Sequence, residues 1–263
     1  MASQSELQSN PEHNKNNKSS VSEVGHAKNV ANFADIIAYC TAYGTTYNPS
    51  KTALQLTELN TLLATAQTEL ANVTTAKNTF NTVTGDRQLT FEPLKPLATK
   101  IFNYLSVTDA SVQIIADAKT INNRIQGKRA GSVNTNPIPE EGGESQTNTV
   151  SVSRQSYDSL TENFAALVDL VSSVESYIPN ETELTTISLN NYLIELQTAN
   201  TNVINAEVAY SNARISRDQV LYADNTGLVA IALDVKKYVK AIFGATSPKY
   251  KQISGIKFTK PKS

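Results

Sequence analysis

Apolar side chains recur three and four apart at Leu56, Leu59, Leu63, Ala66, Leu70, Val73 and Phe80, with Lys77 at the one charged position of that seam. A second run repeats the spacing at Leu189, Leu193, Leu196, Val203 and Tyr210, with Asn200 and Glu207 inside the stripe. This alternation is the heptad-like signature of a helix, not the period of two that marks a strand. Neither run meets Gly or Pro between its preceding proline (Pro49 or Pro179) and Gly85 or Gly227. The pattern predicts two helices of about 35 to 40 residues, each on the order of 55 Å long. Such lengths suit a helical bundle.

The two runs belong to a longer internal repeat. "YNPSKTALQLTELNTLL" (Tyr47 to Leu63) returns as "YIPNETELTTISLNNYL" (Tyr177 to Leu193). Upstream, "NFADIIAYCTAY" (Asn32 to Tyr43) matches "NFAALVDLVSSV" (Asn163 to Val174). Downstream, Gln67, Thr68, Asn72, Ala76 and Arg87 fall on Gln197, Thr198, Asn202, Ala206 and Arg217, and Phe80 falls on Tyr210. After an insertion of about eight residues, "IFNYLSVTDA" (Ile101 to Ala110) aligns with "VKAIFGATSP" (Val239 to Pro248). The expected organisation is a disordered tail over 1–27, helical repeat unit I over 28–126, a flexible linker over 127–153 and helical repeat unit II over 154–263. The linker reading rests on a Gly-, Pro-, Ser- and Asn-rich stretch without aliphatic periodicity, too long for a loop inside a compact domain.

Local signals mark the element ends. Ser50 and Asn180 follow the two prolines and read as N-caps of the long helices. "EPLKPLATKIFNYL" starts a further helix, with Pro93 and Pro96 tolerable only near its first turn. "GLVAIALDVKKYVKAIFG" (Gly227 to Gly244) reads as the equivalent element of the second half, stopped by Gly244. "DASVQIIADAKTINNRIQ" predicts a helix from Asp109, whereas "SPKYKQISGIKFTKPKS" is broken by Gly255 and reads as short or partly extended. The fold class is therefore all-α: two tandem homologous helical-bundle units with long central helices, which could pack about a pseudo-two-fold axis. Both half-sequences, and phrases such as "GLVAIALDVKKYVKAIFGATSPKYKQISGIKFT", resemble a family of bacterial hypothetical proteins with duplicated helical halves. That resemblance implies the architecture and carries no activity, cofactor or site.

Composition narrows the function classes. Over 263 residues the net charge is −1, so the whole chain has no electrostatic bias toward nucleic acid or an anionic membrane. No apolar run reaches the eighteen or more residues of a membrane span, and no N-terminal apolar segment reads as a secretory signal. The single cysteine, Cys40, lies in an apolar run and reads as core, which points to a cytoplasmic setting. Both histidines, His13 and His26, precede the first strongly periodic helix, where the fold would not hold them for nucleophilic catalysis. The repeats contain no histidine for a di-iron site, and one cysteine cannot build a Cys/His zinc site. Phosphate-binding glycine motifs are absent too. No catalytic, metal or cofactor residue is therefore expected, and a non-enzyme is.

Three constellations remain. Lys77 and Glu207 are equivalent seam positions of opposite charge, as are Lys51 and Glu181, so each pair could join the two repeats; the favoured opposing expectation is that they reach to solvent at the bundle margin. Charge is also segregated: Gly131 to Asp224 holds 13 acidic against 3 basic residues, and Asn225 to Ser263 holds 8 lysines against one aspartate. Lys236, Lys237, Lys240, Lys249, Lys251 and Lys257 form a candidate patch for nucleic acid or an anionic surface, although it lacks the arginines that dominate specific contacts. The opposing expectation is that this basic segment folds back and neutralises its own acidic partners. Third, Arg87 and Arg217 read as ion-pairing or capping groups near the far ends of the long helices. A non-catalytic structural or interaction protein, with a protein partner or self-association, is the expected function. An anionic-partner binder is the alternative, and a membrane-active bundle the second alternative, disfavoured by the weak hydrophobicity of every helix.

Overall fold

The computed structural model describes residues 23–128 and 155–260, and these are helical with no strand among them. In chain order the helices are α1 (Glu23–Ala42), α2 (Leu56–Phe91), α3 (Leu94–Leu105), α4 (Val112–Ile125), α5 (Tyr157–Ser172), α6 (Thr186–Tyr222), α7 (Leu228–Phe243) and α8 (Pro248–Ser254). The long helices of 36 and 37 residues are those the seam pattern predicts. Their many threonines are accommodated by back-bonding. Thr61, Thr65, Thr68, Thr79, Thr84 and Thr90 each donate their hydroxyl to the carbonyl four residues earlier.

The long helices begin later than Ser50 and Asn180 suggest. In both places the chain first makes a 3₁₀ turn, Thr52–Leu54 and Thr182–Leu184, and no side chain caps either turn. A buried tyrosine holds each turn instead. The Tyr47 hydroxyl donates to the Leu54 carbonyl at 2.7 Å, and that of Tyr177 donates to the Leu184 carbonyl at 3.1 Å. Leu54 and Leu184 are themselves buried. Thr185 then accepts from the Ser188 amide at the start of α6. The shorter helices are capped conventionally, α4 by Ser111, α5 by Ser156 and α8 by Ser247 followed by Pro248. So the helix expected from Asp109 begins at Val112.

The helices assemble into two compact units, one drawn from a continuous middle segment and the other from the two flanking segments. Unit 1 comprises Met1–Val73 with Ala213–Ser263, and unit 2 comprises Thr74–Asn212. The expected division into 28–126 and 154–263 therefore does not coincide with the compact units. In unit 1, α1 packs on α7 and α8. Phe33, Ile36 and Cys40 of α1 are sealed against Leu228, Ala232, Val235 and Val239 of α7 and Ile253 of α8. In unit 2, α4 and α5 pack on each other and on α3. There Leu94, Ala98, Ile101 and Leu105 meet Phe164, Leu167 and Val171 of α5, with Leu189 and Leu196 of α6. Truncating a sealed phenylalanine such as Phe33 or Phe164 to alanine costs about 3 to 5 kcal/mol. Each core therefore carries a large share of a domain's net stability.

At the margins the expected boundary of the tail changes, and most of the expected linker lies outside the described residues. Of the tail, residues 1–22 lie outside the described residues, but Glu23–Ala27 already form the first turns of α1. Of the linker, only Gly127 and Lys128 are described, with Gly127 at φ 76° ending α4's trailing turn. Among the described residues no helix is long and apolar enough to cross a membrane. The C-terminal segment is short and broken at Gly255, as its sequence suggests.

Candidate functional site

His26 is the first correction to the chemistry. Helix α1 starts early enough to bury it to 2% exposure, and its Nδ1 lies 2.6 Å from the Tyr222 hydroxyl. The premise that the fold holds neither histidine fails for His26, while His13 lies outside the described residues. The surrounding contacts serve closure. Asn29 pairs with the backbone of Thr259 at both ends of its amide, donating to the carbonyl at 2.7 Å and accepting from the amide at 3.1 Å. Asn32 donates to the Lys257 carbonyl. These amides clamp the segment after α8 along α1.

The C-terminal lysines are largely occupied by the fold. Lys236 is half-buried and donates to the carbonyls of Ser254 and Ile256, and its burial lowers its pKa. Lys237 pairs with Asp234 at 3.2 Å. Lys249 sits 4.4 Å above the Phe243 ring and 5.4 Å from that of Tyr43, and Lys240 lies 6.0 Å from Tyr250. Lys251 and Lys257 are exposed. Lys260 reaches Asp224 at 3.4 Å.

Of the seam residues, Lys51 finds a partner inside its own unit, and Lys77, Glu181 and Glu207 are exposed. Lys51 pairs with Asp234 at 2.8 Å inside unit 1, and this ammonium holds the Asp234 carboxyl below the usual carboxylate range. Glu181 is an exposed residue of unit 2, where the neighbouring Glu183 pairs with Lys100 at 2.9 Å. Lys77 and Glu207 are both exposed on unit 2, and no ion pair joins them among the described residues. One helical turn away their neighbours do meet: the Phe80 and Tyr210 rings stack at 6.3 Å.

Unit 2 carries a surface the seam analysis did not single out. While Leu189, Leu196 and Val203 bury one face of α6, its outer face exposes Ile187 (74%), Ile194 (58%), Ile204 (56%) and Val208 (54%). Ile187, Ile194 and Val208 fall on one series of sevens whose remaining position is Thr201, and Ile204 sits one turn before Val208 beside that series, so the four share one stripe. Glu195 and Glu207 flank it. The α2 residues 130 positions before Ile187, Ile194, Ile204 and Val208 are Thr57, Ala64, Thr74 and Asn78, none of them a bulky aliphatic. The signal was present in the sequence as a second seven-residue spacing, masked by the stronger core seam.

Beside the stripe, α2 and α6 enclose a groove of 340 Å³, lined by Val83, Asp86, Arg87 and Thr90 on one side and Ile194, Glu195, Thr198, Ala199 and Asn202 on the other. The Tyr192 hydroxyl donates to the Thr90 carbonyl at 2.7 Å and ties the two helices at one end. Burial, reinforced by the Glu195 carboxylate, pushes that hydroxyl up to about 12. Arg87 lies over the Tyr157 ring, its guanidinium carbon 4.0 Å from the centroid, and Phe91 meets the same ring edge-on. The Arg87 Nε is buried and has no hydrogen-bond acceptor among the described residues. Arg217, in contrast, is 2% exposed and donates from Nε and Nη2 to the Asp218 carboxylate at 2.9 and 2.8 Å. The ion-pair expectation thus holds for Arg217, while Arg87 stacks on an aromatic ring.

Among the described residues no group of three or more His, Cys, Asp or Glu side chains is arranged to hold a metal ion. The described residues form an all-helical protein with an exposed aliphatic stripe and a small groove that carries Asp86, Arg87 and Glu195. Comparison of the chain with protein-family models, curated proteins and solved structures returned no match.

Proposed function

We propose that this chain is a non-catalytic, cytoplasmic interaction protein whose α6 outer face docks a helix of a different protein. The carrying observation is the row Ile187, Ile194, Ile204 and Val208, more than half exposed on an otherwise well-packed unit. Burying an aliphatic side chain of that size is worth about 1.5 to 3 kcal/mol, so four in line favour association. Their spacing fits the apolar seam of one more helix. Glu195 and Glu207 flank the stripe, and self-pairing would set carboxylates against carboxylates. Charge complementarity therefore selects a partner helix with lysine or arginine beside its seam. The engaged state of Lys236, Lys237 and Lys249 favours this reading over binding through the C-terminal lysines.

The scaffold behind this face is read as a duplication whose halves exchange partners about a pseudo-two-fold axis. Support comes from the paired Tyr47–Leu54 and Tyr177–Leu184 turns. It comes also from the stacking of the equivalent Phe80 and Tyr210. The buried positions of α3 and α7, Leu94, Ala98, Ile101, Leu105 and Leu228, Ala232, Val235, Val239, share one spacing. They bring Tyr104 and Tyr238 into register, each edge-on to the tyrosine of a turn, Tyr177 or Tyr47. That register needs an insertion of about four residues, not the eight read from sequence.

A photo-crosslinking amino acid at Ile204, with Lys77 as the control position, tests the docking in the native host. The expected product is an adduct at 204 alone, to a helical segment of another polypeptide bearing basic flanking residues. It should weaken when Glu195 and Glu207 are changed to lysine. An adduct to a second copy of this chain, or none, refutes the proposal.

A further inference from the structure

Arg87 and Arg217 occupy matching positions of α2 and α6, yet the residue that follows each is different. After Arg217 comes Asp218, whose carboxylate takes both prongs of the guanidinium fork. After Arg87 comes Gln88, which cannot supply that charge. Arg87 keeps its packing over Tyr157, with its Nε–H buried and lacking an acceptor among the described residues. A buried donor left unsatisfied is costly, and a guanidinium fork is shaped to receive a carboxylate in two-point contact. This cation also faces a groove, whereas Arg217 is almost wholly enclosed.

We propose that the unit 2 groove binds a small molecule of the amino-acid class through Arg87. Its carboxylate would take the hydrogen bonds that Asp218 provides to Arg217. Asp86 and Glu195 line the same groove and suit an ammonium group, which would offset their repulsion of a bare anion. Val83, Ile194 and Ala199 supply an apolar wall for a side chain, and Thr198 and Asn202 supply hydrogen-bonding groups. A volume of 340 Å³ fits a ligand of that size. The site shares Ile194 and the flanking Glu195 with the helix-docking face but does not depend on docking there.

Isothermal titration of the full chain with L-leucine, acetate and n-butylamine tests the assignment. L-Leucine should bind saturably, and acetate and butylamine each at least about tenfold more weakly, since each keeps one charge contact of two. Gln88→Asp installs the carboxylate that Arg217 already enjoys. It should lower leucine affinity by about tenfold to a hundredfold while leaving the melting temperature equal or higher. Arg87→Ala should abolish binding. No saturable heat with leucine, acetate binding as tightly as leucine, or unchanged affinity in Gln88→Asp would each overturn the proposal. Gln88→Asp keeps the test valid should Arg87→Ala fail to fold.

Discussion

Replacing Gly85 by alanine should raise the melting temperature, and the same change at Gly227 should lower it. Both glycines end the Gly- and Pro-free runs in the sequence, but they occupy different environments. Gly85 lies inside α2, and a Cβ built there meets no atom within 4 Å. Alanine at a helix-interior glycine gains about 0.8 to 1.0 kcal/mol by removing backbone entropy from the unfolded chain. For a chain of this size that is a rise of about 2 to 4 °C. Gly227 caps the start of α7 at φ −69°, an angle open to any residue, so the obstacle is space. A Cβ there would stand 2.5 Å from the Ala223 nitrogen and 2.7 Å from its oxygen. Those are backbone atoms, and the Gly227 amide donates to that same oxygen at 2.9 Å, so neither side can withdraw without losing the turn. Overpacking of this kind costs about 1 to 3 kcal/mol or more. Thermal unfolding followed by far-ultraviolet circular dichroism, with all three proteins in one buffer, reads both shifts. A neutral or lowered melting temperature for Gly85→Ala, or an unchanged one for Gly227→Ala, would refute the reasoning.

Tyr47→Phe and Tyr177→Phe should each destabilise by about 1 to 3 kcal/mol in urea titrations, because each strands a buried carbonyl; a negligible loss at both would show that the hydroxyls do not hold the 3₁₀ turns. Burial pushes the Cys40 thiol up to about 12, against a smaller opposing effect of its contact with Tyr47. A thiol-specific disulfide reagent at pH 8 should therefore label Cys40 only after denaturation, and rapid labelling of the native protein would contradict the sealed core. Because Lys51 depresses the folded-state pKa of Asp234, the unfolded chain takes up the proton first as pH falls. The stabilisation is complete above about pH 4 and is lost as pH falls through the folded value. Lys51→Met should flatten that acid loss and cost no more than about 1 kcal/mol at neutral pH, given the exposure of the pair. An unchanged acid limb in the melting profile would count against the contact.

Much of the secondary structure could be read from spacing alone. A helix needs only its own period and the absence of Gly and Pro, both local properties, so α2 and α6 emerged at nearly their full length. The break at Gly255 and the stop at Gly244, with φ 87°, are also local. Helix starts were read less well, since Ser50 and Asn180 have the right chemistry but stand ahead of an extra turn. That turn depends on Tyr47 and Tyr177 reaching seven residues along the chain. Likewise, the faces that α3 and α7 bury emerged only from the fold.

By itself the sequence determined an all-helical chain, the extent of its longest helices and the repetition of its phrases. Only the tertiary structure decided which helices share a core. Hydrophobic burial is non-directional, so the apolar face of α1 could serve any complementary face; in the fold it meets α7 and α8, while α3 and α4 meet α5. The same step gave Lys51 its partner in Asp234, enclosed His26 beside Tyr222, and left Arg87 on an aromatic ring at the edge of a groove. Each of these joins residues far apart along the chain. Periodicity reports which face of a helix is apolar, but it holds no information about what that face will meet.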